Sequence, residues 1–124
     1  MRTLSLAPLI LLALATPAGA TGGFLCTAVG QEEPALSLVI GHGIPGGVVA
    51  ANLREGGRWL STYAPVDRII IDQWWIDRER TWVDLVDRET GEPAAKLRVT
   101  NHRFGGSGTL ARNGRTFAVR CRED

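Results

Sequence analysis

Leu110-Ala111-Arg112-Asn113-Gly114-Arg115-Thr116-Phe117-Ala118-Val119-Arg120-Cys121 folds back on itself by its own chemistry. Asn113-Gly114 suits a two-residue type I′ turn, because both central positions need φ > 0, and that turn matches the twist of a hairpin. The turn sets Leu110 opposite Phe117. Alternation then points Phe117, Val119 and Cys121 to one side, and Thr116, Ala118, Arg120 and Arg122 to the other. The segment is an apolar-in, polar-out strand with a cysteine on its inner face.

Working back to the other cysteine gives the same arrangement. Phe24, Cys26 and Ala28 share one face, and Leu25, Thr27 and Val29 share the other. Each cysteine stands in phase with a phenylalanine, as expected if the first and last strands meet over one core. A Cys26–Cys121 bond would close a loop of about 95 residues, for which chain entropy sets an upper estimate of about 4–5 kcal/mol. There is no C-x-x-C, and no histidine lies near either cysteine in sequence. A structural disulfide is therefore favoured over a redox thiol or a metal ligand.

Between these ends the chain reads as a succession of short strands. Ala35 to Gly41 is one. Gly47 to Arg54 and Arg58 to Tyr63 form a hairpin about Glu55-Gly56-Gly57. Arg68 to Ile76 and Thr81 to Val86 form another, about Asp77-Arg78-Glu79-Arg80. Asp87 to Glu92 is a type I turn followed by a glycine in the left-handed region, and Ala94 to Thr100 follows. No window of helical spacing is convincing, and fifteen glycines are poor helix material. Eight or nine short strands joined by tight turns predict an all-β domain, a small antiparallel up-and-down barrel in preference to a β-sandwich.

Residues 1–20 carry a different pattern. Arg2 is the only charge before Glu32. An apolar run from Leu4 to Ala15 follows, then Thr16-Pro17 and Ala18-Gly19-Ala20. That order predicts a secretory signal peptide cleaved after Ala20. The run falls well short of the roughly 20 residues a membrane-spanning helix needs. The expected domain is thus 21–124, exported to a periplasmic or secreted location where disulfides persist. No membrane span is expected within it.

Without Arg2 the chain has 13 basic and 13 acidic residues, a balance that argues against general nucleic-acid or anionic-membrane binding. The charges are nevertheless segregated. Gln31 to Ala95 holds eleven acidic residues against six arginines, whereas Lys96 to Arg122 holds seven basic residues and no acidic one. Pairing of these charges between antiparallel neighbours is the simpler expectation. A one-sided basic face that contacts something acidic is the other.

The candidate binding residues are Trp74, Trp75, Trp82 and Ser107. In Ile69-Ile70-Ile71-Asp72-Gln73-Trp74-Trp75-Ile76, strict alternation sets Ile69, Ile71, Gln73 and Trp75 on one face and Ile70, Asp72, Trp74 and Ile76 on the other. Both faces are then apolar, so a loop, a homodimer mate or a ligand must cover one of them. The 77–80 turn would set Trp75 opposite Trp82 and Gln73 opposite Asp84. Asp72 would lie on the far face, which argues against a shared pair of catalytic carboxylates.

The only histidines, His42 and His102, stand in glycine-rich stretches and carry no metal-ligand spacing. No metal, cofactor or catalytic residue is assigned. Gly105-Gly106-Ser107-Gly108 lacks the features of a nucleophile elbow and of a phosphate loop, and reads as a flexible approach to the last hairpin. Its Gly106-Ser107-Gly108 resembles the Ser-Gly loop that bacterial lysozyme inhibitors place in an enzyme cleft. The aromatic expected next is missing from Thr109-Leu110-Ala111, so the resemblance ends there and assigns no family.

The expectation is a non-catalytic binding module for a protein or small ligand, with inhibition of a secreted hydrolase as one specific form. The alternatives are a small hydrolytic or metal-dependent enzyme using His42 or His102, and a self-associating envelope protein.

Overall fold

The computed structural model describes residues 22–41, 47–63 and 68–123. Residues 1–20, expected from sequence to be a signal peptide, and His42 lie outside the described residues. Nine strands follow in chain order: β1 (Gly22–Ala28), β2 (Ala35–Gly41), β3 (Gly47–Glu55), β4 (Arg58–Ser61), β5 (Ile69–Ile76), β6 (Arg80–Asp87), β7 (Pro93–His102), β8 (Gly105–Arg112) and β9 (Arg115–Glu123). No helix occurs among the described residues.

All the strands form one sheet in the order β4-β3-β2-β1-β9-β8-β7-β6-β5, and each is antiparallel to its neighbours. The sheet curls into a nearly closed barrel. The up-and-down expectation holds, with local turns doing most of the work. Asn113 and Gly114 have φ of 52° and 74°, and Leu110 stands opposite Phe117. Gly91 takes φ 75° in the 87–92 loop, where Asp87 Oδ1 accepts from the amides of Glu89 and Thr90. These two amides, Thr90's foremost, hold the Asp87 carboxyl below its usual value.

β1 and β9 pair through a full ladder in which Cys26 lies directly opposite Cys121, and the two form the disulfide. The bond therefore joins neighbouring strands in the middle of the sheet. The sheet's open edges, β4 and β5, face each other on the far side of the barrel. Among the described residues one parallel bridge, Ser61 to Arg68, spans them, helped by Arg68 Nε donating to Thr62 O at 3.2 Å. Trp74, on the edge strand β5, lays its indole on Gly47 of β3 so closely that a Cβ there would overlap the ring. The seam is covered by a side chain where backbone pairing is incomplete.

Inward-facing aliphatic residues fill the barrel. Leu36, Leu38, Leu53, Leu85, Leu97 and Leu110 are fully buried. A barrel of about this strand number has an interior that side chains can fill, so the core is a packed solid. Across one end, Arg112 of β8 reaches Glu55 of β3 in an ion pair and also donates from Nη1 to Ala94 O at 2.7 Å.

Two features depart from the sequence expectations. The first is a β-bulge at Asp72, where the register passes from Ile71 opposite Leu85 to Gln73 opposite Asp84. The extra residue shifts the alternation by one. Ile69 and Ile71 pack on the core before the bulge, and Ile76 does so after it. Gln73 and Trp75 therefore leave the face of Ile69 and Ile71 and turn to solvent. The second is the Gly105–Gly108 stretch, which is strand β8 and not a flexible approach. A Cβ on Gly105 would overlap the Cys121 carbonyl, and one on Gly108 the Arg98 carbonyl. These glycines let β8 lie close against β7 and β9.

Candidate binding site on the outer face

Beyond the bulge, β5, β6 and β7 present one continuous solvent face. Trp75 stands opposite Trp82, and Trp82 opposite Arg98. One row along, Gln73 stands opposite Asp84, and Asp84 opposite Lys96. Inward residues of β6, namely Thr81, Val83 and Leu85, are buried, so the pleat turns Trp82 and Asp84 outward. The result is a groove of about 410 Å³ bordered by Trp74, Trp75, Trp82, Gln73, Arg80 and Arg98. Trp75 is 54% exposed and Trp82 39%.

The aromatic rings are held in place. Trp75 Nε1 donates to Asp77 Oδ2 at 2.7 Å. Asp77 Oδ1 accepts from the amides of Glu79 and Arg80, each at 2.7 Å, closing the β5–β6 turn. The Trp75 indole first, then the two amides, hold the Asp77 carboxyl below its usual value. The guanidinium carbons of Arg80 and Arg98 lie 5.2 Å and 5.1 Å from the Trp82 ring, within cation–π range. Arg98 is itself anchored. Its Nη1 donates to Leu97 O at 2.7 Å and lies 2.8 Å from Asp84 Oδ1. No hydrogen bond is aligned on that oxygen, so charge rather than direction holds the pair.

The basic C-terminal third meets both expectations in part. Arg98 and Arg112 find acidic partners on other strands, Asp84 and Glu55. Lys96, Arg120 and Arg122 are exposed on the outer face and have no ion pair among the described residues. In register, Arg80, Thr100, Ser107 and Arg120 form one row across β6 to β9. Trp82, Arg98, Thr109 and Ala118 form the next.

The sequence-derived candidates thus divide. Trp75 and Trp82 come together as an outward pair. Trp74 borders the same groove but belongs to the seam over Gly47. Ser107 lies within β8, with its Oγ 2.9 Å from His102 Nε2. That is a base-to-hydroxyl distance, yet no acidic group hydrogen-bonds His102 among the described residues. Asp72 is exposed as the inserted residue of the bulge, so the simple alternation that set it on the far face from Asp84 does not run through it. Arg80 and Arg98 were not singled out from sequence. The alternation Lys96-Leu97-Arg98-Val99 marks Arg98 as outward, but only the β6–β7 register brings it to Trp82.

A second concavity of about 460 Å³ lies at the mouth where β1 begins and β5, β7 and β9 end. Two of its polar side chains, Asn101 and Thr81, are committed to structure. Asn101 Nδ2 donates to Asp77 O at 2.9 Å, and Asn101 Oδ1 accepts from Thr81 Oγ1 at 2.8 Å. The described residues hold no group of three metal-ligating side chains. The chain matches no family model, no curated protein and no solved structure.

Proposed function

We propose that the chain is an exported, non-catalytic binding module whose contact surface is the groove around Trp75 and Trp82. One observation carries this reading. Two tryptophans stand side by side on the solvent face of a barrel whose core is already filled by other residues, and a hydrogen bond and two cation–π contacts hold them there. Exposed indoles contribute little to the fold. Rings of low conformational freedom are what binding hot spots use. The export half of the proposal rests on the order of charge, apolar run and small residues in 1–20, and the disulfide is consistent with an oxidising compartment.

The test is an array carrying both glycans and peptides, probed with the wild-type domain, Trp75→Ala and Trp82→Ala. The expected result is a set of features bound by the wild type and lost by both variants, while their circular dichroism stays that of the wild type. Equal binding profiles for all three proteins would refute the assignment of the contact surface.

A further inference from the structure

We infer that the groove around Trp75 takes an uncharged glycan, a ligand built of neutral sugar rings. The inference rests on the binding reading above and adds the chemistry of the ligand. It comes from what the groove's own side chains leave free.

The charges of the groove are satisfied by one another. Arg98 Nη1 lies 2.8 Å from Asp84 Oδ1, and Arg80 Nη2 lies 3.8 Å from Asp77 Oδ2. Lys96 stands opposite Asp84 in register. The guanidiniums of Arg80 and Arg98 also lie against the Trp82 ring. An anionic ligand would meet Asp84, and a cationic one would meet the two arginines. Either would have to displace a pair already made. A neutral ligand meets no such opposition.

What remains unpaired is a mixed set of donors and acceptors. Asp84 Oδ1 is buried against Arg98, while Oδ2 accepts no hydrogen bond from the described residues. Arg98 commits Nη1 to Leu97 O and Asp84, which leaves Nε and Nη2 as donors. Gln73, opposite Asp84, is exposed, and its amide both donates and accepts. A sugar hydroxyl also does both, so a run of hydroxyls can satisfy all three groups.

The same set disfavours a peptide. β6 is hydrogen-bonded to β5 on one side and β7 on the other, so the groove offers an extended peptide no free main-chain edge. A proline-rich segment brings carbonyls but no proline N–H. It would leave the Asp84 carboxylate facing acceptors.

Trp75 supplies the apolar platform. Its ring is half exposed, and its Nε1 is fixed on Asp77. A flat indole held in this way matches the C–H face of a pyranose ring, and little ordering remains to be done on binding. Trp82, with the two guanidiniums against its ring, forms the wall beside it.

Electrophoresis of the native domain in gels containing hydroxyethylcellulose, glycol chitin, dextran, carboxymethylcellulose or no polymer tests the proposal. A poly-L-proline titration followed by tryptophan emission stands beside it. At least one of the three neutral polymers should retard the wild type, and added salt should leave that retardation in place. Carboxymethylcellulose should retard it no more than hydroxyethylcellulose, which shares its backbone. Trp75→Ala should weaken the interaction roughly tenfold or more. Gln73→Ala should weaken it roughly threefold to fivefold, and it spares the fold because the amide has no partner among the described residues.

Salt-sensitive retardation by carboxymethylcellulose alone, lost in Trp75→Ala, would overturn the neutral assignment and keep the binding reading. Poly-L-proline binding lost in Trp75→Ala, with no retardation by a neutral polymer, would replace the glycan with a peptide. Concentration-dependent self-association lost in Trp75→Ala, again without such retardation, would replace it with a second copy of this chain. Retardation that persists unchanged in both variants would remove the site. No retardation by any of the three neutral polymers would end the proposal, while the binding reading would still stand or fall on its array.

Discussion

Asp77 joins three structural tasks in one residue. Its carboxylate holds the Trp75 indole, caps the β5–β6 turn through two amides, and lies in ion-pair range of Arg80. Those donors favour the charged form, so the folded-state carboxyl titrates lower than it would in the unfolded chain. A depressed acid contributes stability above its unfolded value and loses it as pH falls through its folded value. The window is therefore the acid range below about pH 4. Tryptophan emission should shift on acidification in that range as the indole loses its acceptor, and the transition should vanish in Asp77→Asn. A second expectation at this scale concerns Gly108. Alanine there meets the Arg98 carbonyl. Overpacking of this kind costs about 1–3 kcal/mol, which urea denaturation of Gly108→Ala would measure as a lower midpoint. An unchanged midpoint would mean that β8 is free to move away from β7.

At the level of the element, β5 decides where the binding face lies. Read with strict alternation, Ile69 to Ile76 is apolar on both sides and demands an external cover. The inserted Asp72 removes the contradiction. It lets Ile69 and Ile71 face the core before it and Ile76 after it, while Gln73 and Trp75 join Asp84 and Trp82 outside. Deleting Asp72 restores simple pairing, and a one-residue slip sends one half of the strand to the wrong side. The deletion variant should therefore lose cooperative unfolding or fail to accumulate in soluble form. Substituting Asp72→Ala keeps the residue count and should leave the fold intact. Comparing the two by thermal denaturation separates the insertion from the side chain.

For the whole molecule, the disulfide and the seam divide the work of closure. Cys26–Cys121 spans a sequence separation of 95 residues, so its loss removes a long-range restraint on the unfolded chain. The double variant Cys26→Ala, Cys121→Ala should lose up to about 4–5 kcal/mol in the chain-entropy account, read as a lower melting temperature than the oxidised wild type. The ladder between β1 and β9 should persist, because its register rests on alternating apolar residues as well as on the bond. The opposite side of the barrel depends on Trp74 against Gly47 and on Arg112 with Glu55 across one end.

The all-β class, the strand count and turns, the meeting of the first and last strands, and the pairing of the cysteines were all legible in the amino-acid order. Each depends on local rules: a turn that needs φ > 0, a side-chain period of two, and two cysteines both in phase with the core. The pairing of Trp75 with Trp82 followed from one turn length and was legible too. What the tertiary structure alone decided was the bulge at Asp72, the opening of the sheet between β4 and β5, the close approach that requires glycine at 105 and 108, and the gathering of Arg80 and Arg98 about Trp82. These depend on register across several strands and on the curvature of the closed sheet. Such quantities accumulate over the whole barrel, and no single window of sequence contains them.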